Sequence, residues 1–151
     1  MTTENSKSQG TPGTRAMRLL SAGPINFAVP AEEIESIVEW RSPAPLPNAP
    51  AAILGVVCVH SRMLTVIAVS TLLGAEPTRN LKIVSLLGEQ QIALAVESVG
   101  ELIENQSETE PGNDPLTLGE IVSNGQSIPI LNSKQLFPTA MRGRERRKRQ
   151  F

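Results

Sequence analysis

The apolar positions of this chain come in short runs that alternate with polar or small residues, and proline, glycine or asparagine separates one run from the next. Ile25, Phe27 and Val29 alternate as a half-buried strand does, and Pro30 ends the run. Residues 16–21 form an earlier run, with a turn at Gly23-Pro24, and residues 34–40 a later one that leads into a stiff loop carrying Pro43, Pro45, Pro47 and Pro50. Residues 53–59 and 63–69 are rich in β-branched side chains and are separated only by His60-Ser61-Arg62, which predicts a hairpin. A second hairpin is predicted from residues 81–87 and 91–96 around Gly88-Glu89. A third comes from residues 119–122 and 127–131, where Asn124-Gly125 is a strong two-residue turn signal. Short helical turns are expected at 70–73 and 133–137. No amphipathic helix of useful length separates the strands, so a parallel α/β architecture is disfavoured.

The same rhythm occurs twice. Phe27-Ala28-Val29-Pro30 precedes Ile34, Ile37 and Val38, and Ile92-Ala93-Leu94-Ala95 precedes Val99, Leu102 and Ile103, with Glu32 and Glu97 in register. Gly55, Thr65, Val66, Ile67, Leu72 and Leu73 answer in turn to Gly119, Pro129, Ile130, Leu131, Leu136 and Phe137. A unit of this length is too long for a solenoid repeat, which points to two similar lobes, each too small to bury an adequate core without the other. The expected class is all-β: two tandem five-stranded small barrels related by duplication, with short helical turns. The expected division is a leader at residues 1–15, a folded body at 16–138 with the lobe boundary near 75–90, and a flexible basic tail at 139–151.

Composition narrows the chemistry. The 151 residues include one cysteine, one histidine and a single aspartate, Asp114, so neither a disulfide within the chain nor a convergent catalytic or metal cluster is expected. Nor does the sequence carry a phosphate-binding glycine loop, a nucleophile elbow or a dinucleotide fingerprint. No catalytic residue, cofactor, metal or small-molecule substrate is expected. Cys58 lies in an apolar run and reads as a small buried hydrophobe; Asp114 sits in a Pro/Gly loop and reads as a turn former. No apolar run is long enough to span a bilayer and no secretory leader is visible, which fits a cytoplasmic protein. Arg142, Arg144, Arg146, Arg147, Lys148 and Arg149 stand against Glu145 alone, while the rest of the chain is acidic, so the end of the chain is expected to be a mobile basic arm. Such an arm could meet an anionic partner, or it could simply be solvated.

The run Leu46-Pro47-Asn48-Ala49-Pro50, Leu54-Gly55-Val56-Val57, Leu64-Thr65-Val66-Ile67 and Leu72-Leu73-Gly74 resembles the signature of the bacterial chemotaxis coupling protein family CheW. Phe27-Ala28-Val29-Pro30, Leu81-Lys82-Ile83-Val84 and Ala95-Val96-Glu97-Ser98-Val99 are similar to further strands of that family, so the likeness runs over about residues 16–138. It implies two five-stranded SH3-like β-barrels, in agreement with the duplication. It also implies a non-enzymatic adaptor recruited to membrane-associated receptor arrays, binding the regulatory domain of a CheA-type histidine kinase and the helical cytoplasmic tip of a methyl-accepting chemoreceptor. There are departures: Cys58-Val59-His60-Ser61 stands where the family typically has Asn-Leu-Arg-Gly, Thr65 and Ala68 replace a usual proline and aspartate, and Asn132 replaces another aspartate.

The residues expected to touch partners are Ile34 and Ile37 on the early strand, with His60 and Arg62 at the first hairpin turn. Glu32, Glu33, Glu35 and Glu39 form either a patch for a basic partner or a solvated face. Trp40 is either a satellite core residue or an interface anchor. An adaptor of a chemotaxis-like pathway driving pilus-based motility is an alternative within the same class. From another class, a nucleic-acid-binding protein using the basic tail would lack the interleaved aromatics that stack bases, since the chain has only three phenylalanines and one tryptophan.

Overall fold

The computed structural model describes residues 14–76, 79–107 and 115–149. The strands among them are β1 (Thr14–Ala22), β2 (Ile25–Pro30), β3 (Ile34–Glu39), β4 (Ile53–Val59), β5 (Arg62–Ala68), β6 (Lys82–Leu86), β7 (Ile92–Val96), β8 (Ser98–Ser107), β9 (Thr117–Ser123) and β10 (Gln126–Leu131). A 3-10 turn at Ala31–Glu33 links β2 to β3, and two helices follow β5 and β10: α1 (Val69–Leu72) and α2 (Ser133–Arg149). The Pro111-Gly112 turn and Asp114 lie outside the described residues, as does most of the expected leader.

The strands form two five-stranded sheets, in the orders β8-β1-β2-β10-β9 and β3-β6-β7-β5-β4. Shifted by the repeat offset, one order becomes the other, so the all-β architecture of two related five-stranded lobes is as the repeat predicted. The lobes do not part at residues 75–90, however. Hairpin β1–β2 of the first copy joins β8, β9 and β10 of the second, while β6–β7 of the second copy inserts among β3, β4 and β5 of the first. The copies have exchanged hairpins. Apolar alternation specifies which face of a strand is buried and is silent on which copy supplies its neighbour. Each exchanged hairpin joins the other copy by a parallel pairing on one side, Ala28 with Ile130 and Ala93 with Val66, and by an antiparallel pairing on the other, β1 with β8 and β6 with β3.

The two exchanged central strands are buried on both faces, and their side chains sort by size. On β7, Ile92, Leu94 and Val96 enter a core shared by both sheets, whereas Ala93 and Ala95 face a smaller cluster with Val57, Leu64, Val66 and Ile83. On β2, Phe27 and Val29 enter the shared core, and Ala28 faces a small cluster of Met17, Ile121, Ile128 and Ile130. Alanine at 28 and 93 is what a tightly curled five-stranded sheet has room for on its concave side. The bulky residues go to the interface between lobes, where burying each contributes about 1.5–3 kcal/mol.

The same shared core takes up Leu136 and Ala140 of α2. Here the structure departs from expectation, because the turn predicted at 133–137 is a helix of 17 residues that continues to Arg149. The basic run is therefore helical in backbone and not an arm without structure. Two buried apolar residues anchor the first turns, and arginine, lysine and glutamate are good helix formers that let the helix propagate beyond its anchor. No helix among the described residues is long and apolar enough to cross a membrane.

The proline-rich loop protects a sheet edge. Ala44 forms an isolated antiparallel bridge with Val56 of edge strand β4, with N–H···O distances of 2.8 and 2.9 Å in the two directions. This close approach requires glycine next door: Gly55 has φ 141°, and a Cβ there would lie 2.2 Å from the Ala44 carbonyl oxygen. Gly55→Ala combines that clash with a disfavoured backbone, so urea unfolding should show a loss of at least about 2 kcal/mol. A loss below about 0.5 kcal/mol would mean that the loop bridge contributes nothing to the fold.

Candidate functional site

β3 is an edge strand whose residues alternate between the lobe interior and solvent. Ile34 begins it and packs against the shared core, so the fold uses this side chain for packing. Ile37 faces outward and is 37% exposed. Glu39 lies on the same face and pairs across the sheet with Lys82, whereas Glu35, at the bulge between Ile34 and Ser36, pairs with Arg62 and accepts from the hydroxyl of buried Ser85 at 3.4 Å, so its carboxylate turns to the other face. Ser36 lies on the opposite face, its hydroxyl 2.7 Å from that of buried Ser85, which fixes the register of β3 on β6. The outer face of β3 is thus one exposed apolar side chain beside a neutralised carboxylate, the arrangement of an apolar anchor with a polar rim.

The Glu35–Arg62 pair ties the first hairpin turn to β3. β3 and β5 are not neighbours in their sheet, since β6 and β7 lie between them, so the pair spans the open side of a curled sheet. Both side chains are 28% exposed, which gives the contact more weight than the Glu39–Lys82 pair, whose carboxylate is 81% exposed. His60 stands exposed at the tip of the same hairpin, two residues before Arg62. Ile37, Arg62 and His60 are therefore linked through one strand and one hairpin, while Ile34 faces away from them. Of the four acids read as a cluster, Glu35 and Glu39 are neutralised in place, and Glu33 is only half-buried.

The hairpin turn itself is strained. His60 and Ser61 adopt φ of 50° and 68°, and their counterparts Asn124 and Gly125 adopt 53° and 78°. Both are turns with two left-handed residues, for which Asn-Gly is well suited and His-Ser is not. Of these two equivalent turns, the one at His60-Ser61, next to Arg62, carries the strain. Strain of this kind concentrates at functional positions.

Trp40 is half-buried and packs against the cluster containing Val57, Leu64 and Ile83, while its backbone N–H donates to the Leu81 carbonyl at 3.1 Å. Cys58 differs from expectation: it is exposed. The reason is strand phase, because Val57 and Val59 point inward and leave the intervening residue outside. Outside with it, directly across the hairpin, is Met63, 56% exposed. Among the described residues no group of three His, Cys, Asp or Glu side chains is placed to hold a metal.

A double-mutant cycle on Glu35→Ala and Arg62→Ala tests whether the hairpin is tied to β3 as described. Each single change should cost about 0.5–1 kcal/mol, and the pair less than the sum. Strict additivity would show that the two side chains do not interact in solution.

Comparison with known proteins agrees with this arrangement. Residues 17–141 match the family model for the CheW-like domain. The chain is 26% identical over 144 residues to a chemotaxis protein CheW of Rhizobium meliloti (strain 1021), covering 87% of this chain and 93% of that protein. The crystal structure of the scaffolding protein TtCheW from Thermoanaerobacter tengcongensis superposes with a TM-score of 0.71 at 18% identity, over 82% of this chain and 92% of that one, and so has the same fold. With ten strands in the exchanged order and a family match across nearly all of them, this chain belongs to the CheW-like domain family.

Proposed function

We propose that this protein is a cytoplasmic, non-enzymatic adaptor in chemotaxis signalling, joining the regulatory domain of a CheA-type histidine kinase to the helical tip of a methyl-accepting chemoreceptor at membrane-associated arrays. The observation that carries the reading is the outer face of β3, where Ile37 stands exposed beside the Glu39–Lys82 ion pair, on a strand that the Glu35–Arg62 pair ties to a strained hairpin turn. It is joined to a CheW-like match that covers the folded body. An adaptor acts through binding energy alone. By holding kinase and receptor together it raises their effective concentration, and a conformational change in one can then bias the other.

The fold offers equivalent positions for two contacts. Leu102 on β8 occupies the position of Ile37 in the second copy and is 39% exposed. β3 and β8 each form one edge of their sheet, so both lobes present an edge strand with one outward apolar side chain. Two modest contacts suit an array built from many repeated interfaces, with a few apolar anchors carrying most of each.

Calorimetric titration with the kinase, intact and without its regulatory domain, and with a receptor-tip fragment, tests the reading. Binding to the intact kinase should fall in the micromolar range, near -8 kcal/mol by order of magnitude, and vanish without the regulatory domain. Ile37→Glu should weaken at least one partner about tenfold or more, through a buried unpaired charge, and leave the thermal melt unchanged. Full binding of both partners by Ile37→Glu would remove this face from the function.

A further inference from the structure

Helix α2 runs on where its counterpart in the first copy stops. Leu72 and Leu73 answer to Leu136 and Phe137, so the next residues in register are Gly74 and Pro138. Gly74 takes φ 80°, the left-handed conformation that closes a helix, and α1 is only four residues long. Past that end, the Ala75 N–H turns back and donates to the Ser70 carbonyl at 2.8 Å. Pro138 cannot follow the same path. Its ring holds φ at about -65°, a helical value, and α2 continues to 17 residues with the proline inside it.

That continuation leaves one bond unmade. Proline has no N–H, and in a helix the bond it omits is the one to the carbonyl four residues back, which its ring also pushes aside. Here that carbonyl belongs to Lys134, the counterpart of Ser70. The donor it receives comes from outside the helix: the side-chain amide of Gln90, in the turn between β6 and β7, at 3.1 Å. Strands β6 and β7 lie in the sheet with β3, β4 and β5, whereas α2 follows β10 of the other sheet. The Gln90 bond therefore joins the two lobes.

The helix it holds is pinned at its start and weakly held further on. The Asn132 N–H donates to the Leu116 carbonyl at 2.8 Å, and the Asn132 side-chain amide to the Pro115 carbonyl at 3.2 Å. Among the described residues past Pro138, the buried ones are Thr139 and Ala140. Ala140 brings a single methyl to the shared core, and the Thr139 hydroxyl is buried without a hydrogen-bond partner, which is destabilising.

We propose that Gln90 is a latch that fastens α2 to the opposite lobe by replacing the main-chain bond Pro138 cannot make. When the latch opens, α2 swings away from the shared core about Asn132 while both sheets stay folded. The run from Arg142 to Arg149 continues the same helix, so the latch also governs where that basic segment is carried.

Amide hydrogen exchange of the full chain, followed by NMR, tests the device. In the unaltered protein the amides of Ala140 and Met141 should exchange at least about tenfold faster than those of Val29 and Leu94 on the central strands, because α2 opens without the sheets. Gln90→Met keeps the side chain's length and removes its donor, and should speed exchange at Ala140 and Met141 about threefold or more. In a Pro138→Ala background the main chain can make the bond again, and there Gln90→Met should change the same rates by no more than about 1.5-fold. Equal protection of helix and strands, unchanged helix exchange in Gln90→Met, or the same acceleration in both backgrounds would overturn the proposal.

Discussion

Everything else in this structure rests on the apolar core shared between the two sheets. Phe27 and Val29 from one exchanged hairpin meet Ile92, Leu94 and Val96 from the other, with Leu131, Leu136 and Ala140 alongside. Neither sheet has an adequate interior of its own, because each private cluster is a handful of residues built around alanines. A lobe of about 60 residues is marginal in isolation. Exchange makes each lobe depend on a hairpin from the other copy, so the hydrophobic contribution of the shared core is lost if either lobe opens.

That constraint decides where binding surfaces can lie. Central strands β2 and β7 are consumed by packing on both faces, so contacts must be made at the edges and at the turns. β4 is one edge, and the proline loop covers part of it through Ala44. β9 is another, and β3 and β8 are the remaining two, which carry Ile37 and Leu102 outward. Covering one edge and leaving another with a single apolar residue among charges is how a sheet protein limits indiscriminate edge pairing and still recognises a partner.

How much of this was legible in the sequence depends on the range over which each feature is specified. Strands with clear alternation, such as 25–29, and turns with special chemistry, such as Asn124-Gly125, are local facts and could be read directly. The outward position of Cys58 was also available, since strict period two between Val57 and Val59 puts it outside; the overall apolarity of the run masked that phase. The hairpin exchange was not legible, because both copies have the same pattern and either could pair with either. The Glu35–Arg62 contact was likewise beyond reach, because it joins residues 27 apart on strands that are not neighbours. The length of α2 was missed for another reason: a basic run reads as solvated whether or not a buried Leu136 and Ala140 hold its first turns.

The most direct test of the shared core is whether the lobes unfold together. Trp40, the chain's one tryptophan, packs in the β3-containing lobe and reports on it by fluorescence, while far-ultraviolet circular dichroism reports on both sheets. Urea unfolding followed by both signals should give coincident transitions with one midpoint and one slope, because neither lobe keeps a core once the other opens. Separate midpoints, with part of the dichroism change lost while Trp40 remains native, would contradict the account and mean that the lobes stand independently.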